Sequence, residues 1–349
     1  MHEPLVFDGH NDLLTRLHMA GGIAALGTVE RPGHGAIDRA GATLGGFGGG
    51  FFAVWVPSLV DLAAKMAAMQ GDSYDMPLPA MIGAREAGGT VAAQIEILEA
   101  LENAGHVTIC RDTDALRSAF GGDTLAAILH LEGAEAIGPD LGELQALHDR
   151  GLRSLGPVWS RETIFGHGVP FRFPSSPDTG PGLTEAGARL VSVCDRMGIM
   201  LDLSHLNEAG FRDVARLSSR PLVATHSGAH AVSPHSRNLT DRQLDAIAES
   251  DGMVGLNFAC AFLRPDGKMR ADVGMEVLIR HLDHLIGRLG EDRVGLGSDY
   301  DGALVPKELT TVAGLPVLRR AMEAHGFGSE LIAKICHGNW FRVLEKSWA

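Results

Sequence analysis

Residues 125–132 read LAAILHLE, an apolar run with one histidine that ends directly in a glutamate. The run is short and carries no Asp, Glu, Lys or Arg before Glu132, which is typical of a strand buried on both faces of a parallel sheet. Similar runs recur along the chain, and stretches with helical spacing separate them. There are eight such runs, at 5–8, 51–56, 125–131, 152–159, 199–203, 221–225, 253–258 and 294–298.

The alternation of apolar runs with helical stretches predicts either a closed barrel or a doubly wound open sheet. Eight runs favour the (β/α)₈ barrel, and 349 residues suit a barrel formed by one domain. We therefore expect residues 1–349 to form a single TIM-type barrel domain. A ninth strand-like run, 106–110, is expected to lie outside the barrel. The clearest predicted helices are 91–103, 185–197, 241–250 and 275–289.

Charge and composition exclude several classes of partner. The net charge is −13, from 30 Lys and Arg against 43 Asp and Glu, which argues against binding to nucleic acid. No run reaches about 18 uncharged apolar residues, so no membrane span is expected. The N-terminus has no signal-peptide pattern. The four cysteines are far apart, which predicts buried free thiols in a reducing compartment and a cytoplasmic protein.

Potential metal ligands follow five of the eight apolar runs. In a barrel, the C-terminal ends of the strands meet at one mouth, where catalytic residues gather. We therefore expect the residues at these ends to form one site. They are His10 and Asp12 after the first run, Glu132 after the third, His205 after the fifth, His226 after the sixth and Asp299 after the eighth.

The residue types and their spacing indicate zinc. His10 and Asp12 are two residues apart, so both face the same side of an extended segment. Imidazole nitrogen and carboxylate oxygen are ligands of zinc sites that stay open to water. Two neighbouring ions need a shared ligand, and Glu132 can supply one. None of the five lysines ends an apolar run, so a bridging modified lysine is not expected at Lys65, Lys268, Lys307, Lys334 or Lys346.

Each of these residues also has an ordinary structural interpretation when it is taken singly. A histidine after a strand is usually a polar loop residue, and Glu132 could be a favourable charge at a helix N-terminus. Asp299 could be a turn residue in DYDG. Asp8 and Asp202 lie inside apolar runs and are read as structural or supporting groups. The occurrence of the whole set at strand ends favours a metal site.

Six short motifs resemble the membrane (renal) dipeptidase family of zinc peptidases. They keep their order along the chain and are DGHND at 8–12, LEG at 131–133, LDLSH at 201–205, THS at 225–227, SRN at 236–238 and GSDYDG at 297–302. The resemblance implies a zinc-dependent dipeptidase that tolerates a D-residue at the C-terminal position of its substrate. It also implies a homodimer.

The resemblance assigns a role to each residue of the site. It implies two zinc ions, one bound by His10 and Asp12 and the other by His205 and His226. Glu132 would bridge the ions together with a water or hydroxide, which attacks the amide. The resemblance also implies that Arg237 holds the substrate carboxylate and that Asp299 moves the proton.

One position departs from the family pattern. The family has a histidine after the fourth strand that contacts the substrate carbonyl, and here Trp159 stands at that place. Arg161 and His167 follow it out of register, and the alternative is that one of them reaches the substrate from the loop. Trp159 is interpreted either as a core residue or as a hydrophobic wall of the substrate site. In the second case residues 160–182 would form a lid, with Phe165, Phe171 and Phe173 closing an apolar pocket and Gly166 and Gly168 as hinges.

Three other functions remain open from the sequence. The same metals could hydrolyse an N-acyl amino acid or a cyclic amide, and Arg237 would still bind a carboxylate there. A mononuclear deaminase would use strand-end His and Asp ligands without a bridging glutamate. A non-catalytic metal-binding protein would need at least one lost ligand, and none is lost.

Overall fold

A computed structural model describes residues 3–58 and 66–349, so Lys65 lies outside the described residues. Within them the chain forms eleven strands. They are β1 (Val6–Asn11), β2 (Phe47–Trp55), β3 (Tyr74–Met76), β4 (Val107–Ile109), β5 (Leu125–Glu132), β6 (Leu152–Gly156), β7 (Phe171–Phe173), β8 (Met200–Leu201), β9 (Val223–Ser227), β10 (Met253–Asn257) and β11 (Val294–Gly297).

Eight of these strands form a parallel barrel. Their order is β8-β6-β5-β2-β1-β11-β10-β9, and a bridge between Asp202 and Val223 joins the two end strands. Each of the eight predicted runs supplies one of these strands, so the predicted barrel is confirmed. The ninth run forms β4, which pairs with the start of β5 off this path.

Helices cover the barrel between consecutive strands. Those predicted at 185–197 and 275–289 have these bounds, whereas the predicted helix 91–103 begins earlier, at Ala84, because Ala87 packs into the core ahead of the Gly88–Gly89 pair. The α-helices are Leu13–Met19, Arg39–Gly45, Ala84–Asn103, Thr113–Ala119, Gly142–Asp149, Glu185–Met197, Glu208–Leu217, Asp241–Glu249, Cys260–Leu263, Met275–Leu289, Leu315–His325, Ser329–Ala333 and Asn339–Ser347.

Alternation along β2 and β5 decides which side chains face the barrel interior. Phe51 and Ile128 are paired and belong to the apolar cluster inside the barrel, whereas their neighbours Phe52 and Leu129 pack in the outer core beneath the helices. With a period of two residues, the inward face continues upward through the later residues of both strands. Glu132, at the end of β5, therefore points into the mouth.

Trp340 fills the lower interior of the barrel. It comes from helix Asn339–Ser347, is fully buried, and its indole Nε1 donates to the Leu296 carbonyl at 3.0 Å. Gly9, Gly255 and Gly295 surround it, and a Cβ on any of them would lie within 2.9 Å of the indole. These strands carry glycine there because the indole occupies the space that side chains would otherwise fill.

The seam between β8 and β9 depends on one carboxylate. β8 has only two residues, so little backbone pairing closes the ring there. The Asp202 carboxylate accepts hydrogen bonds from the backbone N–H and the hydroxyl of Thr225, at 2.8 and 2.7 Å. It also accepts from the backbone N–H and the hydroxyl of Ser204. The side chain thus replaces missing ladder bonds.

We predict that Asp202→Ala lowers the free energy of unfolding of the metal-free protein by about 3 kcal/mol. The change leaves four buried donors without their acceptor, and each such loss is costly. Urea denaturation followed by circular dichroism measures the effect. Asp245→Ala is the control, because Asp245 pairs with Arg288 at the surface and should matter by less than about 0.5 kcal/mol. Equal effects for the two variants would contradict the role given to Asp202.

Candidate functional site

One oxygen atom of Glu132 lies at the centre of the predicted ligand set. Its Oε1 is 2.9 Å from His205 Nε2, 3.3 Å from His226 Nε2 and 3.7 Å from His10 Nε2. The Nε2 atoms of His205 and His226 are themselves 3.1 Å apart. All four side chains are buried. The ends of four different strands therefore meet in one ligand cluster.

A second group of potential ligands shares His10 with the first. His10 Nε2 is 3.4 Å from Asp12 Oδ2, and His10, Asp12 and Asp299 each offer one ligand atom within 4.8 Å of the other two. His10, Glu132 and His226 satisfy the same criterion. The structure thus brings all six strand-end residues together. It also places Asp299 within ligand distance, whereas the family resemblance implies a proton-transfer role for this residue.

The arrangement fits metal cations. Neither ring nitrogen of the buried His10 has a hydrogen-bond partner in the described part of the chain. Burial alone would lower the pKa of His10, but Glu132, Asp12 and Asp299 together outweigh it and raise that pKa to about 10. Burial raises the pKa of Glu132 well above its usual range. Crowded carboxylates and orphaned imidazole nitrogens are satisfied together by a divalent ion such as zinc.

Hydrogen bonds behind the ligands aim their Nε2 atoms at Glu132. The Thr225 hydroxyl donates to Asp202 and therefore accepts from His226 Nδ1, 2.8 Å away. His205 Nδ1 lies 2.9 Å from the Ser160 hydroxyl. Partners of this kind fix the tautomer of a metal-binding imidazole and its ring orientation. From the sequence, Asp202 is interpreted as a structural or supporting group. The structure places it behind the ligands, where it supports His226 through Thr225.

Two further buried histidines were not identified from the sequence. His130 lies on β5 two residues before Glu132, with Nδ1 2.9 Å from the Ser154 hydroxyl and a pKa that burial lowers to about 4. Its position on the inward face of β5 was a usable signal. His281 lies on helix Met275–Leu289, is fully buried and accepts a hydrogen bond from the Ala229 N–H at 3.0 Å.

Arg237 lies buried beside the ligand cluster. Its guanidinium donates to the backbone carbonyls of Ser204 and His226 and lies 5.4 Å from the centre of the Phe262 ring. Burial lowers its pKa to about 10, so it stays cationic at neutral pH. Its Nε has no partner among the described residues. Ser236, the preceding residue, exchanges hydrogen bonds with the backbone of Arg172 in β7.

Trp159 is half-buried at the mouth. Its ring centroid is 5.8 Å from that of His205, 5.0 Å from that of Trp55 and 5.7 Å from that of Phe171. Trp159 is therefore adjacent to a proposed ligand rather than inside the apolar core. This position agrees with a wall of the site and does not assign it a substrate contact.

The segment 160–182 has more structure than a simple lid. It contains β7, which pairs antiparallel with β3. Of its three phenylalanines, Phe171 lies against Trp159, Phe165 is fully buried in the core, and Phe173 stacks on Tyr74. Gly168 is packed so that a Cβ there would lie 2.0 Å from the Trp159 carbonyl oxygen. The glycine permits this close approach, which is a different role from the hinge expected from the sequence.

Arg161 and His167, which follow Trp159 out of register, are held in other contacts. Arg161 is fully buried in an ion pair with Glu135. His167 Nδ1 lies 2.9 Å from Glu162 at the surface. Neither residue therefore replaces the histidine that the family resemblance implies after the fourth strand.

A parallel eight-stranded barrel with histidines and carboxylates gathered at its mouth is the arrangement of metal-dependent hydrolases of the amidohydrolase-like class. Residues 1–348 match the profile of the membrane dipeptidase family, peptidase family M19. The chain belongs to this family, and it is therefore a metallopeptidase.

Similar proteins agree with the family. A metallopeptidase structure from Rhodobacter sphaeroides, liganded with a phosphinate mimic of L-Ala-D-Ala, is 55% identical with a TM-score of 0.97, covering 99% of this chain and 100% of that one. A dipeptidase structure of family M19 is 55% identical with a TM-score of 0.96, and the match covers 99% of each chain. An uncharacterized protein of Klebsiella pneumoniae, in the pqqA 5′ region, is 44% identical over 73% of this chain and 95% of its own length.

The remaining sequence expectations concern thiols and membranes. All four cysteines are buried and free, as predicted. In the described ranges, no helix combines the length and apolar character needed to cross a membrane.

We predict that zinc binding at pH 7 releases protons. Metal ligands must be deprotonated, and the raised pKa of His10, about 10, means that this side chain carries a proton in the metal-free cluster near neutrality. Apparent zinc affinity should therefore rise as the pH is raised from 6 to 8. Calorimetric titration in two buffers of different ionisation enthalpy measures the released protons. Identical heats in both buffers would contradict the protonated cluster.

Proposed function

We propose that this chain is a dinuclear zinc dipeptidase that hydrolyses the amide bond of dipeptides. The observation that supports this most directly is the buried guanidinium of Arg237 beside the ligand cluster, where it is held by the carbonyls of Ser204 and His226. A fixed cation close to the metals suits a small substrate with a free carboxylate. Family membership supports the same reaction.

We assign the zinc ions to the five ligands expected from the sequence. His10 and Asp12 would hold one ion, His205 and His226 the other, and Glu132 would bridge them. When bound, such ions lower the pKa of water towards about 7 and polarise the carbonyl of the scissile bond. The alternative of a mononuclear deaminase has one ion per chain and no bridging glutamate. A measured zinc content near two per chain would exclude it.

Asp299 is assigned to proton transfer. Asn257 Nδ2 donates to its Oδ2 at 3.0 Å, and its own backbone N–H donates to the His10 carbonyl, so the carboxylate is fixed at the ligand cluster. Burial raises its pKa, which brings the carboxyl closer to the range useful for accepting and returning a proton. Asp299 would take the proton from the attacking water and give it to the leaving amine.

Two features of substrate selectivity are proposed: a role for Trp159 in side-chain preference, and acceptance of a D-residue at the C-terminal position of the dipeptide. Trp159 would form an apolar wall against one substrate side chain. The Rhodobacter relative binds a phosphinate mimic of the dipeptide L-Ala-D-Ala, which supports acceptance of a D-residue at the C-terminal position. The alternative substrates are N-acyl amino acids and cyclic amides. A panel of L–L, L–D and D–L dipeptides beside N-acyl amino acids tests the choice.

The cellular setting is also part of the proposal. A cytoplasmic location would agree with the four buried free thiols, and the family resemblance implies a homodimer. The acidic charge favours small-molecule substrates over nucleic acid.

Replacing the carboxylate clamp should affect binding more than turnover. We expect Arg237→Met to raise the KM for dipeptides roughly 10–100-fold, which corresponds to the loss of a charge-assisted contact. The kcat should fall much less. A dipeptide amide lacks the negative charge, so its kcat/KM should hardly change. Equal losses for the dipeptide and the dipeptide amide would exclude Arg237 as the clamp.

Replacing Asp299 separates its two possible roles. If it transfers a proton, Asp299→Asn should lower kcat about 10²–10⁴-fold while the protein keeps its full zinc content. If it is a ligand, zinc content should fall, since Asp299 lies within ligand distance of His10 and Asp12. Steady-state kinetics with metal analysis of the same preparation gives both values. Full activity with full zinc would contradict both roles.

A further inference from the structure

Arg161 connects the loops that follow three barrel strands. Its Nε and Nη2 donate to Glu135 Oε1 at 2.9 and 2.7 Å, after β5. Nη2 also donates to the Val56 carbonyl at 2.9 Å, and Nη1 donates to the Ser58 hydroxyl at 2.6 Å, both after β2. Arg161 itself follows β6. A single planar group thus holds three neighbouring loops at the mouth.

The same guanidinium lies next to the proposed substrate wall. Its central carbon is 5.7 Å from the centre of the Trp159 ring, within the range of a cation–π contact. Between them in sequence, the hydroxyl of Ser160 contacts His205 Nδ1. Three consecutive residues therefore make three different contacts. Trp159 packs against neighbouring aromatic rings, Ser160 contacts a proposed zinc ligand, and Arg161 forms the ion pair with Glu135.

The other partner is coupled to the proposed bridging ligand. Glu135 follows Glu132 by three residues, and its carboxylate folds back over Gly133. Gly133 has a φ of +92°, and a Cβ there would lie 2.3 Å from Glu135 Oε2. A side chain at 133 would therefore displace the carboxylate. The turn that leaves Glu132 is shaped around this ion pair.

The pair is a costly way to stabilise a fold. Both side chains are fully buried, and Glu135 Oε2 has no hydrogen-bond partner among the described residues. A buried ion pair contributes little net stability compared with apolar side chains of the same volume, because both charges lose their hydration. The geometry that it imposes is what an apolar pair would not reproduce.

We infer that Arg161 and Glu135 are positioning residues, which fix Trp159 and the loop after Glu132 in the orientation that the substrate meets. This inference rests on the proposed dipeptidase function for its kinetic consequences. Neither residue touches the reacting atoms. Their loss should change how substrates are ranked by side chain, because the wall formed by Trp159 would no longer hold one position.

The test compares a single variant with a double variant. Arg161→Met alone leaves the Glu135 charge buried without its partner, and the melting temperature should fall markedly. Arg161→Met combined with Glu135→Met removes both charges, and the melting temperature should return close to that of the wild type. Stability is thereby separated from positioning.

Two measurements on the double variant report positioning. Trp55 and Trp159 are 5.0 Å apart and tilted by 59°, so their indoles should give an exciton couplet in circular dichroism. We expect the couplet to fall towards that of Trp159→Phe. In the zinc-loaded enzyme, the ratio of kcat/KM between dipeptides with large and small side chains should change about tenfold or more. The double variant is expected to show both changes despite its recovered stability.

Arg150→Met is the matched control. Arg150 makes a two-point ion pair with Glu99 on the outside of the barrel, at 2.9 Å for both contacts, so the same substitution breaks a partly exposed Arg–Glu pair away from the mouth. The couplet and the substrate ranking should stay as in the wild type. Changes equal to those of the double variant would show that they do not arise at the mouth.

A stable double variant with an unchanged couplet and unchanged ranking would overturn the inference and leave the pair a structural feature. If the double variant does not fold, Arg161→Lys decides, because an ammonium keeps the charge but cannot reach Glu135, Ser58 and the Val56 carbonyl together. A reduced couplet in that variant supports positioning, and an unchanged couplet rejects it. If the wild type cleaves no dipeptide, the proposed function fails, while the couplet still tests the pair.

Discussion

The concentration of charge at one buried oxygen, Glu132 Oε1, is the constraint on which the site depends. Three imidazole nitrogens lie within 3.7 Å of it, and water has little access to any of them. Such a cluster is unfavourable unless cations enter it and the surrounding groups hold each ring in place. Thr225, Asp202 and Ser160 hold the rings in place. The barrel brings the ligands together at no loss of packing, because the ends of its strands converge at the mouth.

The sequence was sufficient for the barrel because its strands are buried on both faces. Such strands appear as continuous apolar runs, and the residue after each run lies at the mouth by topology alone. His10, Glu132, His205 and His226 could be found in this way. Helix starts were harder. The helix that begins at Ala84 continues through a Gly-Gly pair. Its start depends on the packing of Ala87 in the core, and the local sequence pattern does not contain that contact.

Contacts between loops could not be predicted for the same reason. Arg161 resembled a loop residue available to substrate, and only the fold shows that Glu135 and the end of β2 occupy its donors. His281 had the spacing of an ordinary helix residue, although it accepts a hydrogen bond from Ala229. His130 differs, since its alternation with Glu132 was present in the sequence. Contacts between residues that are distant in the chain depend on the folded geometry, which the spacing of residues along the sequence does not show.

The indole of Trp340 has a consequence for the order in which the chain acquires its structure during synthesis. It occupies the interior space bounded by Gly9, Gly255 and Gly295, yet it follows β11 by more than forty residues. A ribosome therefore releases all eight barrel strands before the residue that fills their centre is made. Until then the glycine-lined interior lacks its main apolar occupant, and the nascent barrel is expected to stay loosely packed and to depend on chaperones for protection from aggregation.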